Sequence, residues 1–207
     1  MSDDRSQILR SIREALQPIP AERLTAYPEW DTTSTRMAVY PDLGSPWEVF
    51  SFKLKQVNGT PLNDLGALSR WMEAEGLKFG YCDPALLKLL EDFGGFDGVT
   101  FETEFDLAKV DDYAFGITRA AGAIAETGTV ILKDSVTSAR LAALAPWTHI
   151  ALLEMDDLVE YVDQAVTRLG DDPSVIWATG PSKTADVEGI LIEGVHGPGI
   201  QVVCPLK

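Results

Sequence analysis

The chain has 207 residues, 45% of them hydrophobic, enough to bury a sizeable core in one domain with an appendage. Its formal net charge of −15, from 32 acidic and 17 basic residues, argues against a nucleic-acid backbone as partner. No apolar run approaches the roughly 18–20 residues of a membrane helix, and the start Met1-Ser2-Asp3-Asp4-Arg5 has no signal-peptide character, so a cytoplasmic location is expected.

In chain order, Ile8, Leu9, Ile12 and Leu16 recur at helical spacing, which predicts an amphipathic helix over residues 6–16 that Pro18 and Pro20 stop. Residues 17–44, rich in Pro, Thr and aromatics, read as an extended arm. The main domain is expected over residues 45–207. Ser45-Pro46-Trp47-Glu48 is a capping box with proline at the first helical position, placing a helix over 46–57. Asp64 caps a second helix that Gly76 ends, residues 77–82 form a short strand, and Asp83-Pro84 opens another helix to about residue 90. Eight acidic residues against Lys109 between Glu91 and Asp112 read as a solvated face, the alternative being a docking surface for a basic partner.

A strand is expected over 111–118, then two apolar runs around Thr127-Gly128 that read as a β-hairpin with a two-residue turn. A short helix near 138–144, a strand over 148–153 and a helix over 157–169 follow. Ser174-Val175-Ile176-Trp177-Ala178 has the length and residue types of a buried parallel strand. Residues 185–193 suit a short helix or a strand, and 201–205 a final strand. Trp47, Trp71, Trp147 and Trp177 fall on these elements and read as packing residues. Alternating helices and strands imply an α/β fold with a mostly parallel sheet flanked by helices.

Chemistry concentrates in two late runs, Thr179-Gly180-Pro181-Ser182-Lys183-Thr184-Ala185-Asp186 and Gly194-Val195-His196-Gly197-Pro198. A strand that breaks into Gly-Pro-Ser at its carboxyl end is where α/β sheets place ligands. Ser182 and Thr184 offer hydroxyls, Gly180 lets backbone approach a ligand, and Lys183 supplies a compact cation for an anion. Asp186 reads as a cap or as partner to Lys183. His196 is a candidate substrate contact or proton carrier, or the closure of its own turn; His149, at a strand start, reads as structural. The two runs are expected to wall one pocket, with Thr127-Gly128 facing 180–184 across the carboxyl edge of one parallel sheet. Glu126, beside Ile124 and Ala125 at the hairpin tip, fits a desolvated general base, or else a carboxylate that fixes the loop through amide hydrogen bonds.

Ile117-Thr118, Ala123-Ile124-Ala125-Glu126-Thr127-Gly128-Thr129, Pro146 with His149-Ile150, and the two late runs together resemble the LUD family, and within it the lactate-utilisation protein C branch. The resemblance covers roughly residues 45–207; residues 1–44 carry no motif of the family. It implies a fold similar to the NagB/RpiA/CoA-transferase group. Thr118 and Gly197 are expected to join Thr127, Gly128 and the 180–184 run as ligand-binding positions for a small carboxylate or phosphate-bearing ligand, with Glu126 and His196 as the catalytic candidates. The resemblance also implies a role beside two iron–sulfur partner subunits, one of the LUD type and one cysteine-rich, in oxidising L-lactate to pyruvate, with the redox centres expected in the partners and this chain as the non-redox subunit. The residues fit that division of labour. Cys82 and Cys204 are too few for a four-thiolate cluster and too far apart for a zinc motif, so they read as buried free thiols. No Gly-x-Gly-x-x-Gly fingerprint follows a strand, so no cofactor or metal is expected in this chain. The alternative is a stand-alone CoA-transferase-like or sugar-phosphate isomerase-like enzyme, because Glu126-Thr127-Gly128 is similar to the Glu-x-Gly turn carrying the nucleophile of CoA-transferases.

Overall fold

The computed structural model describes residues 2–15, 36, 44–172, 174–185 and 191–206. The chain divides into two units, Met1–Ser34 and Thr35–Lys207. In the first, α1 spans Ser2–Ala15, starting earlier than its apolar spacing indicates, with Ile8, Leu9 and Ile12 exposed. The expected extended arm lies almost wholly outside the described residues.

The second unit opens with α2 (Pro46–Gln56), whose capping box forms as read: the Glu48 amide donates to Ser45 Oγ at 3.3 Å, and the Ser45 amide donates to Glu48 Oε2 at 2.7 Å. After β1 (Thr60–Pro61), Asp64 caps α3 (Leu65–Ala74) through the Ala67 amide at 2.6 Å. Next come β2 (Phe79–Cys82), α4 (Pro84–Phe93) capped by Asp83, and β3 (Thr100–Glu102). Seven of the eight acidic residues between 91 and 112 lie on a helix end or in loops and are exposed, while Glu102 takes hydrogen bonds from Lys109 and Tyr113. β4 (Phe115–Arg119), β5 (Gly122–Ile124), β6 (Thr129–Lys133), α5 (Arg140–Leu144) and β7 (Thr148–Leu153) follow. The chain then runs through β8 (Leu158–Val159), α6 (Val162–Thr167), β9 (Val175–Ala178), the hairpin of β10 (Lys183–Ala185) and β11 (Leu191–Glu193), and β12 (Ile200–Pro205).

Six strands make one all-parallel sheet in the order β1-β12-β7-β4-β2-β3. Side chains alternate across it, as pleating requires. Phe115, Ile117, Ile150, Leu152, Val202 and Cys204 meet Leu65, Leu68 and Met72 of α3 and Leu86 and Leu90 of α4 on one face. Ala151, Leu153 and Val203 meet α2 and a second sheet on the other. Each fully buried large side chain contributes about 1.5–3 kcal/mol by leaving water, so this two-sided core fixes the register of the parallel strands.

The second sheet, β8-β5-β6-β9, is antiparallel except for β8 against β5. Ala123, Val130 and Leu132 face the main core, while Ile124, Ile131 and Val159 lie under Ala165 of α6. Three expectations change here. The strand at 175–178 is neither buried nor parallel: it is the antiparallel edge of the small sheet, because β6 offers its free side to an apolar run that either setting would accept. The expected helix over 157–169 is a 3₁₀ turn (Met155–Asp157), then β8, then the short α6, because Leu158 and Val159 pair with β5 before any helix can start. The hairpin at 127–128 closes through four residues, with the Gly128 amide donating to Ile124 O at 3.0 Å. Gly128 has φ 67°, and a Cβ there would stand 2.8 Å from Leu54 Cα, so the turn rests on the last turns of α2.

Two of the four tryptophans leave the core. Trp47 stacks on Phe50 and Trp71 packs against the α3–α4 core. Trp147 is 56% exposed and Trp177 37% exposed. Residues 186–190, and with them Asp186, lie outside the described residues.

Candidate functional site

The strand register sets the floor of the site. Gly116 of β4, His149 of β7 and Gln201 of β12 form one row across the parallel sheet, at its amino end. His149 and Gln201 each interrupt an apolar strand, and both are buried. A Cβ on Gly116 would collide with the Ala142 carbonyl oxygen, so glycine there lets α5 approach and brings Ala143 and Leu144 to the side of the row.

The two late runs close the other side. The Ser182 amide donates to Pro198 O at 2.9 Å, and the Gly194 amide donates to Ser182 O at 2.9 Å. Gly180 has φ 76° and leaves no room for a Cβ against Val57 of the α2 C-cap. Gly180, Pro181 and Ser182 thereby face His196, Gly197 and Pro198 across a cavity of about 280 Å³, with Leu132 and residues 176–179 along the small sheet. That volume is at the lower end for small-molecule sites. Among the described residues its walls carry no Lys, Arg, Asp or Glu: the polar groups are Thr179, Ser182, Gln201 and two histidines. His196 stands at the exposed rim and also borders an open cleft of about 470 Å³ with Asp111 and Trp147.

His149 is held inside. Its Nε2 and Thr118 Oγ1 are 2.9 Å apart, and burial pushes its pKa down to about 4, so the ring is neutral near pH 7. Thr118 is thus a buried support rather than a wall. Gln201 Oε1 is buried and meets no donor among the described residues.

The remaining expected site residues fall elsewhere. The hairpin reaches the end of β9, just before the 180–184 run, and does so at the small sheet rather than across the carboxyl edge of the parallel one. A hydroxyl chain runs there from Thr127 to Thr129 and from Thr129 to Thr179, each step 2.7 Å. Lys183 Nζ donates to Val57 O at 2.9 Å and pairs with Glu193 at 3.4 Å, directly across the β10–β11 hairpin, and Thr184 is interior to β10. Glu126 is buried, its Oε1 accepting the Val162 amide at 2.7 Å where α6 begins. Neither Lys183 nor Glu126 lines the cavity. Sequence reasoning missed Gln201 and assigned His149 only a structural part; the available signal was one polar residue inside each of two apolar strands.

Among the described residues, no group of three or more His, Cys, Asp or Glu is placed to hold a metal ion. Cys82 and Cys204 are buried, and burial raises both thiols to about 12, so neither is a thiolate at pH 7.

Fold and site together define an α/β domain whose parallel sheet and small antiparallel sheet enclose an uncharged polar cavity. The LUD domain family model matches residues 71–204, and the chain belongs to that family. The match contains every residue that lines the cavity.

Relatives named "Lactate utilization protein C" include one from Oceanobacillus iheyensis, 40% identical over 91 residues, covering 40% of this chain and 39% of that one. Another, from Deinococcus radiodurans, is 34% identical over 109 residues (50% and 51%), and one from Bacillus subtilis is 36% identical over 103 (46% and 43%). The chain therefore spans about half the length of these relatives or less. A crystal structure of a DUF162 family protein from Deinococcus radiodurans superposes with TM-score 0.53 at 22% identity, covering 78% of this chain and 98% of that one, a likeness of fold. Among the described residues, no helix is long and apolar enough to cross a membrane.

Proposed function

We propose that this chain serves lactate utilisation as a non-redox subunit that holds a small carboxylate in the cavity between residues 180–182 and 196–198. The observation that carries the reading is the name shared by its relatives, together with a family match that takes in the whole cavity. In this reading Ser182 Oγ and the His196 ring hold the carboxylate at the rim, while the neutral wall behind them excludes water from the rest of the molecule. Electrons leave through iron–sulfur centres in partner subunits, since two buried, protonated cysteines cannot ligate a cluster here.

The test is twofold. A strain lacking this gene is expected to lose growth on L-lactate as sole carbon source, with growth on pyruvate kept. The tagged protein is expected to bring down cysteine-rich iron–sulfur proteins whose complex reduces a dye with L-lactate. Normal growth on L-lactate, with no such co-purification, would refute the proposal.

A further inference from the structure

Gln201 and His149 are direct neighbours in the parallel register of β12 and β7, both buried and both in the cavity wall. Gln201 Oε1 finds no donor among the described residues. A buried carbonyl oxygen left without a donor is unfavourable, so an orphan beside a cavity marks where a bound molecule supplies the hydrogen. His149 shares one ring nitrogen with Thr118, and its other ring nitrogen carries no hydrogen bond among the described residues. A neutral imidazole keeps one donor and one acceptor nitrogen. An orphan acceptor beside an imidazole is a set that a hydroxyl fits, since a hydroxyl both donates and accepts.

We infer that the inner end of the cavity reads a hydroxyl group, and that Gln201 separates a 2-hydroxy acid from the corresponding 2-oxo acid. The hydroxyl hydrogen goes to Gln201 Oε1, and the 2-oxo acid, with no hydrogen to give, leaves that oxygen unpaired. The identity of the acid rests on the lactate reading; the preference for a hydroxyl does not.

The experiment titrates the full chain by calorimetry with two pairs, L-lactate against pyruvate and 2-hydroxybutyrate against 2-oxobutyrate. The hydroxy acid of a pair is expected to bind about tenfold more tightly, and Gln201→Met to bring that ratio close to one. The wild-type ratios need no variant and stand if Gln201→Met folds poorly. Equal binding within each pair, preference for the oxo acid, or a preference that survives in a folded Gln201→Met protein would overturn the inference. Selection of 2-hydroxybutyrate with no binding of lactate would uphold it and sink the lactate reading. Binding of none of the four acids would overturn it, with growth on lactate still deciding the proposed function independently.

Discussion

Lys183 is a cation already in use: it caps the carbonyl end of α2 at Val57 and faces Glu193 across a hairpin. A partly exposed pair and a helix-end contact are each worth up to about 1 kcal/mol. Lys183→Met is therefore expected to lower the unfolding free energy by about 2 kcal/mol or less and to leave carboxylate binding unchanged, read by denaturant titration and calorimetry on one sample. A tenfold loss of binding would instead make Lys183 an anion ligand.

His149 ties stability to pH. Its folded pKa of about 4 lies below the unfolded value of about 6.5, so the unfolded chain takes up a proton that the fold refuses. The contribution is full above about pH 6.5, is lost as pH falls toward 4, and amounts to about 3 kcal/mol across that window. Urea titrations from pH 4 to 7 are expected to show this slope in the wild type and a flatter one in His149→Gln. Equal slopes would mean that His149 is not the buried neutral group described. Its polarity was visible as a break in an apolar strand, whereas its place in a cavity depends on Gln201, 52 positions later in the chain, and on strand order.

At the scale of elements, Gly128 and Gly170 make a matched pair. Both have positive φ, 67° and 62°, but a Cβ on Gly128 would press on the α2 backbone while one on Gly170 would meet open space. Alanine at 170 is expected to cost about 1 kcal/mol for left-handed backbone alone. Alanine at 128 should cost clearly more, about 3 kcal/mol, because the hairpin must also lift off α2; equal losses by thermal unfolding would contradict this packing. Caps and turns were the legible part of the sequence: Ser45, Asp64 and Asp83 start their helices as read, and the strand at 148–153 has the expected bounds. These signals are local. The strand at 175–178 and the segment at 157–169 were misread because an apolar run of four or five residues fits a buried strand, an edge strand or a helix equally, and only the neighbour decides. Here the neighbours were β6 and β5.

At the scale of the whole molecule, the order β1-β12-β7-β4-β2-β3 sets residues 149 and 201 side by side. The late runs were legible as walls of one cavity from their glycines, prolines and hydroxyls. Their position at the amino ends of β7 and β12 was not, since the expectation of a carboxyl-edge site assumed that 175–178 belonged to the parallel sheet. The net charge of −15 opposes the approach of a carboxylate. Affinity for L-lactate is therefore expected to rise severalfold between about 10 and 150 mM salt as screening sets in; a fall would point to a cation in the site. In the proposed function the ligand binds in the cavity walled by residues 180–182 and 196–198. The most direct test is an amide NMR titration of the full chain with L-lactate. Shifts are expected to concentrate at Gly180, Ser182, His196, Gly197 and Gln201. Shifts confined to Glu126, Thr127 and Gly128, or none at saturating lactate, would contradict it.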